Sequence, residues 1–130
     1  MLRTKLLLPA CCISIVCLFT APSVGALNLN RTMYLTFSRS VQLPGVTLAP
    51  GTYIFELAEP TSANNLVRVL SHDRRNVYLL AFTLRVDRPR GMRSDQFVSI
   101  GEAPGGAPPP ITVWYPRDDS TGRQFIYSGR

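Results

Sequence analysis

An all-β, antiparallel fold, a β-sandwich or small barrel of seven to eight short strands, is what this sequence predicts. Three observations carry that expectation. Runs of Val, Ile, Leu, Tyr, Phe and Thr with two-residue alternation recur along the chain after residue 26. Turn dipeptides such as Pro44-Gly45 and Pro50-Gly51 punctuate them at short intervals. No stretch sustains the helical apolar period of about 3.6 residues over about ten residues or more.

The N-terminal segment has a different character. Met1 to Lys5 is short and basic, Leu6 to Thr20 is almost wholly apolar, and Val24-Gly25-Ala26 offers the small residues that a signal peptidase reads. Residues 1–26 are therefore expected to be a signal peptide, with 27–130 as a single all-β domain located in the periplasm or secreted. Pro9 and Pro22 interrupt a run already short for a bilayer span of about 20 residues, and a lipobox around Leu8-Pro9-Ala10-Cys11 would leave only Leu6 to Leu8 before the modified cysteine. No transmembrane span is expected in the mature chain.

Cleavage after Ala26 would change the chemistry. All three cysteines, Cys11, Cys12 and Cys17, lie in the removed part, so the mature domain would rely on packing without disulfides. Without Arg3 and Lys5, the 14 basic residues become 12 against 8 acidic ones, a formal charge of +4. Every remaining basic residue is arginine.

Taken in order, Met33, Leu35 and Phe37 alternate with polar neighbours; Arg39-Ser40 then interrupts before Val41 and Leu43, giving one bent strand or two. The stretch Leu43–Leu57, LPGVTLAPGTYIFEL, sets a short apolar segment between two turns and opens a strong strand. In that strand Tyr53, Phe55 and Leu57 form an apolar face, and Thr52, Ile54 and Glu56 a mixed face expected to look largely towards water. A polar loop from Ala58 to Asn65 precedes the strand LVRVL, and Ser71 to Asn76 makes the next turn. Val77 to Val86 is the longest strand expected, with Tyr78, Leu80, Phe82 and Leu84 on one face and Val77, Leu79 and Ala81 on the other, so that its start is expected to be covered on both sides. Arg85 to Arg93 is a basic loop broken by Pro89 and Gly91. Strands follow at Phe97 to Glu102, Ile111 to Tyr115 and Arg123 to Tyr127, with APGGAPPP as a polyproline-type connection before the second of them.

Catalytic chemistry has little foothold. The single histidine, His72, lies between Ser71 and Asp73, and three consecutive residues do not converge on one reacting atom as a triad requires. No metal-ligand cluster and no cofactor motif is present, so neither a metal nor a cofactor is expected. Asp118-Asp119-Ser120 reads as a solvated acidic turn. The enzymatic alternative is a small hydrolase acting on cell-envelope glycans through a carboxylate pair drawn from Glu56, Glu59, Glu102 and Asp87.

Binding has two candidate locations. Arg85, Arg88, Arg90 and Arg93 could hold anions such as an acidic polysaccharide, anionic lipid or the acidic face of another envelope protein, and secretion argues against nucleic acid. Trp114 and Tyr115 could supply an aromatic contact, although strand parity does not settle whether Trp114 is core or surface.

The runs TFSRSVQLPGVTLAPGTYIFEL, VRVLSHDRRNVYLLAFT and EAPGGAPPPITVWYP, with a final FIY, together resemble a group of small secreted bacterial β-sandwich proteins of unassigned function. The likeness extends over nearly all of the expected mature chain. Its LxPGTY element alone also recurs in unrelated secreted sandwiches such as the B-type repeats of bacterial collagen adhesins. The resemblance implies a periplasmic or secreted β-domain and brings no catalytic residue with it. The expectation from sequence is thus a non-enzymatic, envelope-associated binding or structural module.

Overall fold

A computed structural model describes residues 29–63 and 65–128; the expected signal peptide and the three cysteines lie outside the described residues. Nine strands, and no helix, make up the described chain: β1 (Met33–Phe37), β2 (Val41–Leu43), β3 (Val46–Leu48), β4 (Gly51–Leu57), β5 (Leu66–Ser71), β6 (Val77–Asp87), β7 (Val98–Ile100), β8 (Ile111–Trp114) and β9 (Thr121–Phe125). Seven of them form one antiparallel sheet in the order β1-β4-β5-β6-β9-β8-β7, and β2-β3 form a separate hairpin. With no helix in the described chain, none is long and apolar enough to cross a membrane.

The expected break at Arg39-Ser40 is where the chain changes sheet. β1 pairs with β4, whereas β2 turns through Pro44-Gly45 onto β3. Gly45 takes φ 75°, the positive angle that the second central position of such a turn favours in glycine. The apolar segment between the two Pro-Gly turns is therefore itself a strand, which raises the count to nine. The hairpin is tied to the end of the proline-rich connection by a Gln42 N–H that donates to Pro109 O at 2.9 Å. Its Val41, Leu43 and Leu48 are buried against Phe55, Val67, Val69, Ile111, Trp114 and Phe125 in one core on the inner side of the sheet.

The second turn feeds β4 through Gly51 at φ 155°, an angle that residues with a Cβ avoid. The Tyr53 hydroxyl donates to Ala49 O at 2.6 Å and fastens the turn to the strand that follows. Gly51→Ala is expected to lower the unfolding free energy by about 1 kcal/mol, read as a shift of the urea midpoint at unchanged slope. A variant as stable as the parent would show that β4 opens without backbone strain.

Tyr53, Phe55 and Leu57 enter the core as the alternation predicts. The opposite face of β4 does not look towards water: Ile54 is 0 % and Glu56 2 % exposed. The reason is the width of the sheet. Ile54 is flanked by its register partners Tyr34 and Leu70, while Glu56 lies opposite Arg68. Arg68 Nη2 donates to Glu56 Oε2 at 2.6 Å, Arg74 Nη2 to Oε1 at 2.9 Å, and the Thr32 hydroxyl to Oε1 at 2.9 Å.

β6 departs from simple alternation. Val69 pairs with Leu79 but Leu70 with Val77, so Tyr78 is an extra residue in a β-bulge. The bulge carries Tyr78 to the inner side, where its ring meets core residue Tyr53 edge-on at 5.5 Å, and places Val77 beside outward-facing Leu70. Tyr78 thus leaves the face it was expected to share with Leu80, Phe82 and Leu84. Nor is the start of β6 covered on both sides, because the hairpin packs only on the inner face; Val77, Leu80, Phe82 and Leu84 are each more than half exposed.

Candidate functional site

The inner face of the sheet changes character at one end. In register, Thr83 faces Phe125 and Arg85 faces Arg123, so the row next to apolar Phe125 is a pair of arginines directly opposite each other on β6 and β9. Like charges in such a position destabilise a sheet unless an anion lies between them. The carboxylate that pairs with Arg123 is Asp119. Asp119 Oδ2 lies 3.4 Å from Arg123 Nη2 and 3.9 Å from Arg31 Nε.

These side chains, with Arg117, Asp118, Glu59, Leu29, Leu57 and neighbours, line a pocket of about 510 Å³, a size suited to a small ligand. Arg123 is its floor. It is 4 % exposed, its Nη1 donates to the Thr121 hydroxyl at 2.9 Å, and its buried Nε–H finds no acceptor among the described residues. Burial, together with the positive charges of Arg85 and Arg31, lowers its pKa from the ordinary value against the opposing pull of Asp119. Burial pushes the Asp119 carboxyl up, but the Thr121 N–H and hydroxyl at 3.0 and 2.9 Å and the two arginines outweigh it and hold the carboxyl below the usual range. Arg31 Nη1 also donates to Arg117 O and Asp118 O, each at 3.2 Å, and Arg117 lies over the Phe97 ring at 4.6 Å. Arg85 is exposed and makes no ion pair among the described residues. Arg31 and Arg123 thus flank Asp119, Arg85 faces Arg123 across the strands, and Arg117, Asp118 and Glu59 complete the charged lining, four guanidiniums to three carboxylates.

The four arginines expected from sequence do not act as one patch. Arg85 belongs to the pocket. Arg88 holds its own loop together, donating to Arg93 O at 2.7 Å and Gln96 O at 2.9 Å, with its guanidinium over the Tyr115 ring at 5.4 Å. It lines a second pocket that shares Arg117, Asp118 and Asp119 with the first. Arg93 pairs with Asp95 at 2.9 Å, and Arg90 is exposed on the loop.

The aromatic contact expected at Trp114 and Tyr115 is corrected. Trp114 is 0 % exposed, 5.9 Å from Phe55 between ring centroids, and Tyr115 is buried on the opposite side of β8. Gly122 makes room for Tyr115: a Cβ there would lie 2.6 Å from the ring. Neither aromatic presents a stacking face to solvent.

Other residues settle into structural roles. His72 is exposed at a hairpin tip where the Ser71 hydroxyl donates to Asp73 at 2.7 Å. Among the described residues no three His, Cys, Asp or Glu side chains gather as metal ligands would. Glu59 lines the arginine pocket, Glu102 a different one, and Glu56 is taken up by Arg68 and Arg74 on the outer face.

Sequence reasoning missed Arg31, Arg117, Asp119 and Arg123. The one legible signal was parity: Arg123 and Phe125 alternate within a strand, which puts an arginine on the same side as a core aromatic. Fold and site together define an antiparallel all-β domain with an arginine-lined pocket at one end of its concave face. The chain matches no protein-family model, no curated protein and no solved structure.

Proposed function

We propose that this chain is a non-enzymatic binding module of the periplasmic or secreted space, associated with the cell envelope, and that its pocket holds the anionic group of an acidic polysaccharide. The observation that supports this reading is the cross-strand Arg85–Arg123 pair, with Asp119 as the near carboxylate for Arg31 and Arg123. Guanidiniums recognise carboxylate and phosphate through paired N–H donors. The exposed Arg85 meets the ligand, while Arg123 beneath it supplies positive potential that burial screens little from the pocket. The N-terminal pattern and the resemblance to small secreted bacterial β-sandwich proteins support the location.

The test is calorimetric titration of the purified protein with oligogalacturonate at low and high salt, with phosphatidylglycerol vesicles as a parallel arm. Binding is expected to weaken with salt, and Arg85→Ser to weaken it at least tenfold, while Arg90→Ser leaves it unchanged. Titrations in which Arg85→Ser matches the parent, or in which only the vesicles bind, would overturn the polysaccharide reading.

A further inference from the structure

One turn lines two pockets at this end of the molecule. Asp119 N–H donates to Pro116 O at 3.3 Å and closes the turn, with Asp118 at φ 60°. Arg117, Asp118 and Asp119 border both the pocket of Arg85 and Arg123 and a second one of about 370 Å³, whose other walls are Arg88, Ser94 and Phe97. The second pocket has guanidiniums of its own. That of Arg117 lies 4.6 Å over the Phe97 ring and makes no ion pair among the described residues, while the Arg117 backbone oxygen accepts from Arg31. Arg88 donates to Arg93 O and Gln96 O through Nη2 alone, which leaves its Nε–H and Nη1 without an acceptor among the described residues. The chain is still extended at Arg88, whose N–H donates to Ser120 O at 2.9 Å next to the Asp87–Thr121 pair. Arg85 and Arg88 are thus roughly 10 Å apart along the strand. Three residues apart, they have opposite parity and aim to different sides of the sheet's end. A single sugar does not reach both.

We infer that the two pockets are consecutive subsites for one polyanion, which crosses the turn with one anionic group at Arg85 and another at Arg88 and Arg117. This rests on the reading of the first pocket as an anion site. Both arginines of the second are held before a ligand arrives, Arg88 by two carbonyls and Arg117 by the Phe97 ring, so little side-chain freedom is lost on binding. The carboxylates of the turn set the charge pattern. Asp119 is engaged by Arg31, Arg123 and Thr121, whereas Asp118 is exposed and makes no ion pair among the described residues. An exposed carboxylate accepts from hydroxyls and repels an anion. The ligand is therefore one whose charges are separated by hydroxyl-bearing groups, as along a chain of uronate sugars, and not a densely charged polyphosphate.

Calorimetric titration with galacturonate monomer, dimer and tetramer tests this. Joining two contacts in one ligand raises affinity far above either contact alone, and a gain of about 50-fold from monomer to tetramer is expected, more than the extra binding registers of a longer chain supply. Arg117→Ser is expected to abolish most of that gain; Arg90→Ser removes the same charge from a residue bordering neither pocket and is expected to preserve it. Arg85→Ser should weaken every length together. Arg117 is exposed and serine retains the backbone oxygen that Arg31 uses, so circular dichroism of Arg117→Ser should report a folded domain. Equal affinity for monomer and tetramer, or a gain that Arg117→Ser leaves intact, would overturn the second subsite while the first stands. Tripolyphosphate that binds as tightly as the tetramer would overturn the spaced-charge ligand. Absence of binding at every length would remove the anion site and the inference with it.

Discussion

Trp114→Ala is expected to destabilise the domain by about 4 kcal/mol, enough to unfold much of a protein with ordinary marginal stability. The indole is fully buried, touches Phe55, and sits in the cluster where the β2-β3 hairpin meets the large sheet. Its removal leaves a cavity between two elements that packing, with no disulfide among the described residues, must hold together. Trp114→Phe should cost far less, on the order of 1–2 kcal/mol, because the buried Nε1 has no acceptor among the described residues and its loss breaks no hydrogen bond. Trp114 is the only tryptophan, so unfolding of both variants is to be followed by circular dichroism in urea. A Trp114→Ala variant that unfolds at the parent's midpoint would show that the hairpin does not depend on this contact.

Acid is expected to weaken the fold through Glu56. Burial pushes this carboxyl up, but hydrogen bonds from Arg74, Arg68 and Thr32 outweigh it and bring the pKa from the ordinary 4.5 to about 2. A carboxyl with a depressed folded-state pKa contributes stability above its unfolded-state value and loses it as pH falls through the folded one. The loss therefore falls between pH 4.5 and about 2. Its full size is on the order of 2 kcal/mol, allowing for the partial exposure of Arg68 and Arg74. Glu56→Gln should show the complementary behaviour, a lower stability at neutral pH and a flatter acid limb. Urea midpoints at pH 7, 4, 3 and 2 for parent and variant decide it; parallel acid limbs would mean that other carboxylates set the acid sensitivity.

The two faces of the sheet have opposite relations to charge. On the outer face Glu56 meets Arg68 and Arg74 within 3 Å, so both guanidiniums there have a carboxylate partner. At the end of the inner face Asp119 answers to Arg31 and Arg123, with Arg85 opposite Arg123 and unpaired among the described residues. What sets the second arrangement apart is Arg85, an exposed guanidinium placed to meet an incoming anion through paired N–H donors. This difference is why we propose the ligand at Arg85 and not on the neighbouring loop, where Arg88 and Arg93 are engaged with backbone and Asp95.

What could be read from the residues alone was what depends on neighbours in the chain. Alternation in GTYIFEL, the Pro-Gly turns, the break at Arg39-Ser40 and the polar tip around His72 are local patterns, and local sterics and burial suffice to give strands, turns and the all-β class. Only the tertiary structure decided which strands lie side by side, and that pairing made every feature of functional interest. The register that sets Arg85 against Arg123 and the bulge that turns Tyr78 inward bring together residues far apart in the chain. Such contacts are absent from any local window because their energy comes from sheet partners that the two-residue period does not name. The same reason hid Trp114: parity assigned it a side, and the arrival of a hairpin from the far end of the chain made that side the core.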